Sequence, residues 1–197
     1  MKKIVVGITG ASGSCYAEKL IQILLLADIE VHLVITKAGR EVCNHELGWS
    51  LSGDVEHDLA FLQEHYASGM LVLYHEDRIG ATIASGSVPM DGMVIIPASM
   101  GSVSGLATGR SINLLERSAD VVLKERRKLI VVPRETPFNE IHLTNLLTLV
   151  KMGVDVIPAM PAFYNHPQTI EDLVAFIVGR VLDHLGIERD IYQRWEG

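Results

Sequence analysis

Three segments rich in glycine and small hydroxyl residues carry the chemistry most easily read from this chain: GITGASGS at 7–14, ASGS at 84–87 and PASMGSVSGLATG at 97–109. In the first, glycines recur as G-x-x-G-x-x-G between a β-branched run and a helical segment. Such a turn lets backbone N–H groups approach a phosphate closely, and the helix N-terminus that follows favours its charge. The spacing is not the G-x-G-x-x-G of dinucleotide sites. After the second strand, where a nicotinamide site calls for Asp or Glu, stand Thr36 and Lys37. Both features point to a mononucleotide rather than NAD; a tight turn with no ligand is the simpler alternative. The 97–109 segment reads as a second loop at a strand's C-terminal end, able to offer N–H and hydroxyl donors or merely to cap a helix. Ser85, in a loop between two strands, belongs to another candidate phosphate cradle.

Charged side chains gather in LERSADVVLKERRKLIVVPRE, residues 115–135. On a helix, Arg117 and Lys124 are seven apart and share a face. Arg126, Arg127 and Lys128 read as a solvated basic face. Arg134 and Glu135 differ, because they follow the strand KLIVVP directly, at the edge where an open α/β sheet binds its ligand. An arginine there can hold phosphate oxygens in a fork, and a carboxylate beside it can move protons. The plainer alternative is a loop salt bridge worth about 0–1 kcal/mol. Further on, PAFYNHP (161–167) presents Phe163 and Tyr164 between prolines, with Arg180 one helical face away. The eight histidines show no HExxH, HxH or Cys-x-x-Cys spacing, so no metal site is expected.

Positioning these groups requires alternating elements. Residues 3–8, 30–36, 70–74, 92–97, 128–133 and 154–159 are short, nearly continuous apolar runs, as strands of a parallel sheet covered on both faces should be. Helical periodicity follows Gly13 through about Leu26, begins again at Lys37, and is clearest in 139–152 and 170–185. The last has Thr169 at the N-cap with Asp172 three residues on, and stops at Gly186. The expected fold is α/β: a three-layer, doubly wound, mostly parallel sheet of Rossmann-like or flavodoxin-like type, with its ligand crevice outside the C-terminal strand ends. Residues 1–197 read as one domain, closed by helix 170–185 and a short tail.

Composition agrees with a globular chain: 48% hydrophobic and 21% charged residues. The net charge of −7 argues against nucleic-acid binding, though not against a small phosphorylated ligand. Apolar runs fall well short of the ~20 residues of a membrane span. Gly7, Gly10 and Gly13 interrupt what would be a signal peptide's apolar core, so the chain reads as mature from its first residue and cytoplasmic. Cys15 and Cys43 make no disulfide framework and read as reduced, buried side chains.

Taken in order, GITGASG, ASGS, the PASMGS loop, ADVVLKERRKLIVVPRETPF and PAFYNHPQTIEDLVAFIVGRVLDHLGI resemble the UbiX-type flavin prenyltransferases, of the flavoprotein decarboxylase-like superfamily. The resemblance covers nearly the whole chain, and VLKERRKLIVVPRETPF is its most distinctive block. It implies contacts to flavin mononucleotide (FMN) from Gly10, Ala11, Ser12, Thr36, Ser99, Met100, Gly101, Ser102 and Arg134. It implies dimethylallyl phosphate contacts from Ser85, Lys124, Arg134, Glu135, Tyr164 and Arg180, with Arg117 nearby. Two departures stand out: many relatives have serine at the position of Thr36, and some carry a tryptophan before ASGS where DRIGATI (77–83) has none.

The implied reaction joins dimethylallyl to reduced FMN at N5 and then C6 and releases phosphate, giving prenylated FMN for a UbiD-type decarboxylase. Lys124, Arg134 and Arg180 would stabilise the leaving phosphate, while Glu135 and Ser12 would handle protons. No DDxxD-type carboxylate cluster is present, so magnesium is not implied. The family's assembly implies a homododecamer built from trimers, its active sites drawing on neighbouring chains. Two competing readings are an FMN-dependent decarboxylase of the same fold, which calls for a catalytic histidine and an Asn-containing loop where PASMGS stands, and a non-catalytic flavin carrier. The carrier would not need Lys124, Arg134, Glu135, Tyr164 and Arg180 together.

Overall fold

The computed structural model describes residues 1–194. Six strands form one sheet in the order β3-β2-β1-β4-β5-β6, every pairing parallel. They are β1 (Lys3–Ile8), β2 (Glu30–Ile35), β3 (Leu71–Tyr74), β4 (Gly92–Ala98), β5 (Leu129–Pro133) and β6 (Asp155–Val156). The sheet is thus wholly parallel rather than mostly so. Its order reverses between β1 and β4, and a doubly wound sheet opens its ligand crevice at such a switch point.

Residues of opposite parity along each strand feed two separate cores, as a sheet with a side-chain period of two must. Ile4, Val6 and Ile8 pack with α1 (Ser14–Leu26), α2 (Lys37–Leu47), α3 (Val55–His65) and α7 (Ile170–His184). Val5, Val34 and Ile95 pack on the other face with α4 (Met100–Ala107), α5 (Leu114–Lys124) and α6 (Glu140–Lys151). The three layers expected from the apolar runs are therefore present.

Local signals account for most element ends. Thr169 and Asp172 form a capping box at the start of α7, and Gly186 adopts a left-handed φ of 65° just past its end. Two expectations are corrected. The run 154–159 pairs as a strand only over Asp155–Val156, although Ile157 and Ala159 still donate backbone bonds to Val131 and Pro133; between them, Pro158 has no N–H to offer. The 97–109 segment is not a loop beyond Ser99, because Met100–Ala107 is helix α4. Among the described residues no helix is long and apolar enough to cross a membrane, and no group of three or more His, Cys, Asp or Glu could hold a metal ion.

Candidate active site

Three loops meet at the C-terminal edge of the sheet, and hydrogen bonds join them. Thr9, 1% exposed, donates its hydroxyl to the Pro97 carbonyl at 2.8 Å and accepts from the Ser99 amide at 2.7 Å. The end of β1 is thereby fixed to the end of β4. Just past β5, Arg134 donates its backbone N–H to the Ala98 carbonyl and its Nε to the Ser12 carbonyl at 3.1 Å. The loops bearing Gly10, Ala11, Ser12, Ser99 and Arg134 therefore meet at the switch point, the place where a doubly wound sheet binds its ligand. Ala11 and Met100 are buried, and neither side chain carries a hydrogen-bond donor, so any N–H they offer a ligand is a backbone one.

The glycines here have steric reasons. A Cβ on Gly10 would lie 2.6 Å from the Ala38 Cβ, and one on Gly39 would lie 2.7 Å from the Ile8 carbonyl oxygen. Their absence lets α2 start tight against the first loop. Thr36 caps α2 by accepting from the Gly39 amide at 3.1 Å, which leaves its hydroxyl hydrogen for another partner. Ser99 caps α4, accepting from the Ser102 amide, and its hydroxyl lies 3.1 Å from that of Ser102. Met100, Gly101 and Ser102 thus form the first turn of α4, where N–H groups have no intrahelical carbonyl to bond. The space beside Gly101 is open, with only the Ser99 Oγ within 4 Å of its would-be Cβ.

The α1 N-terminus, the other expected anion cradle, is already filled. Glu46, from the last turn of α2, places Oε2 at 2.9 Å from the amides of Gly13 and Ser14 and 2.6 Å from the Ser14 hydroxyl. Burial alone would raise its carboxyl, but hydrogen bonds from Ser12 and Ser14 and from the two amides outweigh that and hold it at about 2. Sequence reasoning missed Glu46. It is a constant negative charge under the Ser12 loop, so a ligand phosphate has better reason to seek the α4 N-terminus and Arg134.

Glu135 does not pair with Arg134: its Oε1 accepts from the Thr136 amide at 3.0 Å, so the plain salt-bridge alternative is not what forms. Tyr164 stands beyond β6 at the same edge, 46% exposed, with its ring edge-on to Phe176.

The remaining expected residues lie elsewhere. Lys124 ends α5 five residues before β5 begins, which places it at the N-terminal edge of the sheet. Its ammonium is 2.8 Å from Glu125 Oε1, and Ser85 and Ser87 share a 2.9 Å hydroxyl contact in the loop packed beside it. Arg117, in the second turn of α5, pairs with Asp120. Arg180 donates to Asp183, one turn before His184 reaches Asp155 at the base of β6. Among the described residues no hydrogen bond or ion pair joins Arg180, Lys124 or Ser85 to Arg134 or Glu135. Of the basic face assigned to solvent, Arg126 is exposed, Lys128 pairs with Asp155, and Arg127 bonds two loop carbonyls.

Comparison with known proteins gives a consistent result. The sequence profile of the Flavoprotein family matches residues 1–182. Flavin prenyltransferase UbiX of Halalkalibacterium halodurans is 51% identical over 192 residues, covering 96% of this chain and 91% of that protein. The crystal structure of AnUbiX in complex with FMN and dimethylallyl pyrophosphate superposes with a TM-score of 0.90 at 34% identity, covering 100% of this chain and 98% of that one. A dodecameric FMN-dependent UbiX-like decarboxylase from Escherichia coli O157:H7 superposes with a TM-score of 0.88 at 42% identity, over 99% of this chain and 100% of that one.

Proposed function

This chain belongs to the flavoprotein family, and on that footing we propose that it is a flavin prenyltransferase, joining a dimethylallyl group from dimethylallyl phosphate to reduced FMN at N5 and C6. The observation that carries the reading is the meeting of the β1, β4 and β5 loops at the switch point, which brings Ser12, Ser99 and Arg134 together beside the N-terminus of α4. Its donors suit a phosphorylated heterocycle: Gly101 leaves the first turn of α4 uncovered, and Thr36 keeps a hydroxyl hydrogen to give. Reduced FMN supplies the nucleophilic ring atoms when bound. The protein's own residues hold and orient it through Gly10, Ala11, Ser12, Thr36, Ser99, Met100, Gly101, Ser102 and Arg134, so that positioning supplies much of the acceleration.

Glu135, at the crevice rim, accepts or returns protons at the reacting ring. Ser12, whose hydroxyl bonds the Glu46 carboxylate, relays them. Lys124, Ser85, Arg180, Tyr164 and Arg117 bind the donor's phosphate. Lys124 and Arg180 sit near the N-terminal edge of the sheet and Arg134 at the opposite edge, across a strand about 16 Å long. A single chain therefore cannot close all of them on one phosphate. This supports a homo-oligomer in which neighbouring chains complete each site, and the dodecameric relative makes a dodecamer the assembly to expect. The product would pass to a UbiD-type decarboxylase, in the cytoplasm.

The decarboxylase reading has less support, since PASMGS lacks the asparagine that reaction calls for. A passive carrier would not need the phosphate-binding set. The test is incubation with reduced FMN and dimethylallyl phosphate, followed by mass analysis of the extracted flavin. Flavin heavier by one prenyl group is expected; recovery of unmodified FMN alone refutes the reading.

A further inference from the structure

The serine loop at 85–88 is anchored from outside itself. Arg127 donates Nη2 to the Gly86 carbonyl at 2.7 Å and Nη1 to the Val88 carbonyl at 2.8 Å, reaching across about forty residues of chain. The two prongs of one guanidinium thus span alternate carbonyls of the segment bearing Ser85 and Ser87. The loop also lies tight on the end of α5: a Cβ at Gly86 would come 2.2 Å from Glu125 Oε1 and 3.0 Å from Lys124 Nζ. Without its own regular structure beyond the short turn Thr82–Ala84, the segment has few other restraints. Its internal bonds are the Ser85–Ser87 hydroxyl contact and a 3.2 Å bond from the Val88 amide to the Ser85 carbonyl.

We propose that Arg127 is a positioning residue for the phosphate-bearing substrate: it holds the 85–88 loop at the distance from Lys124 at which the Ser85 hydroxyl and the ammonium can share one phosphate. This inference rests on the prenyltransferase reading above. The physical case is geometric. A guanidinium is planar and rigid, so two charge-assisted bonds to carbonyls in one loop fix both its height and its tilt, which a single ammonium on a flexible stem cannot do. Arg127 commits two of its five N–H donors to carbonyls of this one loop. It acts through the loop and not on the substrate.

The test compares wild type, Arg127→Ala, Arg127→Lys and Arg126→Asn, the last altering an exposed neighbour with a left-handed φ that asparagine tolerates. For Arg127→Ala the KM for dimethylallyl phosphate should rise about tenfold to a hundredfold, the scale on which small misplacements act, with FMN affinity unchanged within about twofold. Lysine should restore only part of the loss, guanidinium ion added to Arg127→Ala should lower the KM again, and Arg126→Asn should match wild type. Amide exchange over residues 84–90 should quicken in Arg127→Ala, whether or not substrate is present. An unchanged KM, unchanged exchange, or parallel loss of FMN binding overturns the proposal. If wild type makes no prenylated flavin, the functional reading fails and takes the substrate role of Arg127 with it. A wild type that is active alongside an indifferent Arg127→Ala sinks the positioning role alone.

Discussion

Replacing Glu46 by glutamine isolates the charge that fills the α1 N-terminus. The glutamine oxygen can take the place of Oε2 and keep its three bonds, to the amides of Gly13 and Ser14 and to the Ser14 hydroxyl. What is lost is the negative charge, with the charge-assisted share of each bond and the favourable interaction with the helix dipole, together with the longer 3.3 Å bond from the Gly13 amide to Oε1, where the amide NH2 now stands. A carboxyl held at about 2 instead of its ordinary 4.5 would nominally be worth about 3 kcal/mol. The carboxylate is well exposed, so solvent screening cuts this to about 1–2 kcal/mol. The sign follows from linkage: a depressed carboxyl stabilises the folded state above its unfolded pKa, and the contribution disappears as pH falls through the folded one. Denaturant unfolding followed by tryptophan fluorescence, at fixed protein concentration from pH 7 to pH 3, should therefore show Glu46→Gln less stable by about 1–2 kcal/mol at neutral pH. The gap should narrow below about pH 4.5. A gap that is absent at pH 7, or that stays constant down to pH 3, refutes the assignment of Glu46 as a charged cap.

Glu135→Gln should bind FMN nearly normally while prenylated flavin forms about 10²–10⁴ times more slowly, as measured by single-turnover mass analysis; Arg180→Ala should instead raise the apparent KM for the phosphate donor. Gly10→Ala drives a methyl to 2.6 Å from Ala38, so it should cost about 1–3 kcal/mol in a thermal or denaturant titration and weaken FMN binding as the first loop lifts off α2. Burial, with Glu46 and Glu18 adding to it, pushes the Cys43 thiol up to about 12, so Cys43 should resist iodoacetamide at pH 8 in the folded protein and react on unfolding, as peptide mass mapping would show.

Much of this architecture was legible because its signals are local. The β-branched runs at 3–8, 30–36 and 128–133 became β1, β2 and β5 within a residue, and α7 began at the cap that Thr169 and Asp172 announce. Helix Val55–His65 carries weaker periodicity, with Glu56, His57, Gln63 and Glu64 diluting its apolar face, and was not anticipated. The site was harder, because its decisive contacts are long-range. Thr9 reaches residues about ninety positions away, Arg134 reaches Ser12 across more than a hundred, and Arg127 reaches Gly86 across about forty. No spacing rule covers such distances. For Glu46 the sole local hint was a carboxylate in the last turn of a helix, where the macrodipole disfavours it. Arg127 resembled its exposed neighbour Arg126 in type and position, and only the fold separates a brace from a solvated charge.

The Thr9 hydroxyl has a bearing on how this scaffold could be re-engineered. Its one hydrogen and one of its lone pairs are both committed, to Pro97 and to the Ser99 amide, at a position without access to water. The gap between the two loops is consequently a fixed gauge, set by the reach of one oxygen atom rather than by what fills the crevice. Valine, nearly the same shape, would strand the part-buried Ser99 amide and leave the Pro97 carbonyl only its 3.3 Å bond from the backbone N–H of residue 9, whereas serine would keep both hydroxyl bonds and sacrifice only a methyl group. Attempts to admit a bulkier isoalloxazine analogue should accordingly leave residues 9 and 97–99 untouched, and carve space from side chains at the rim.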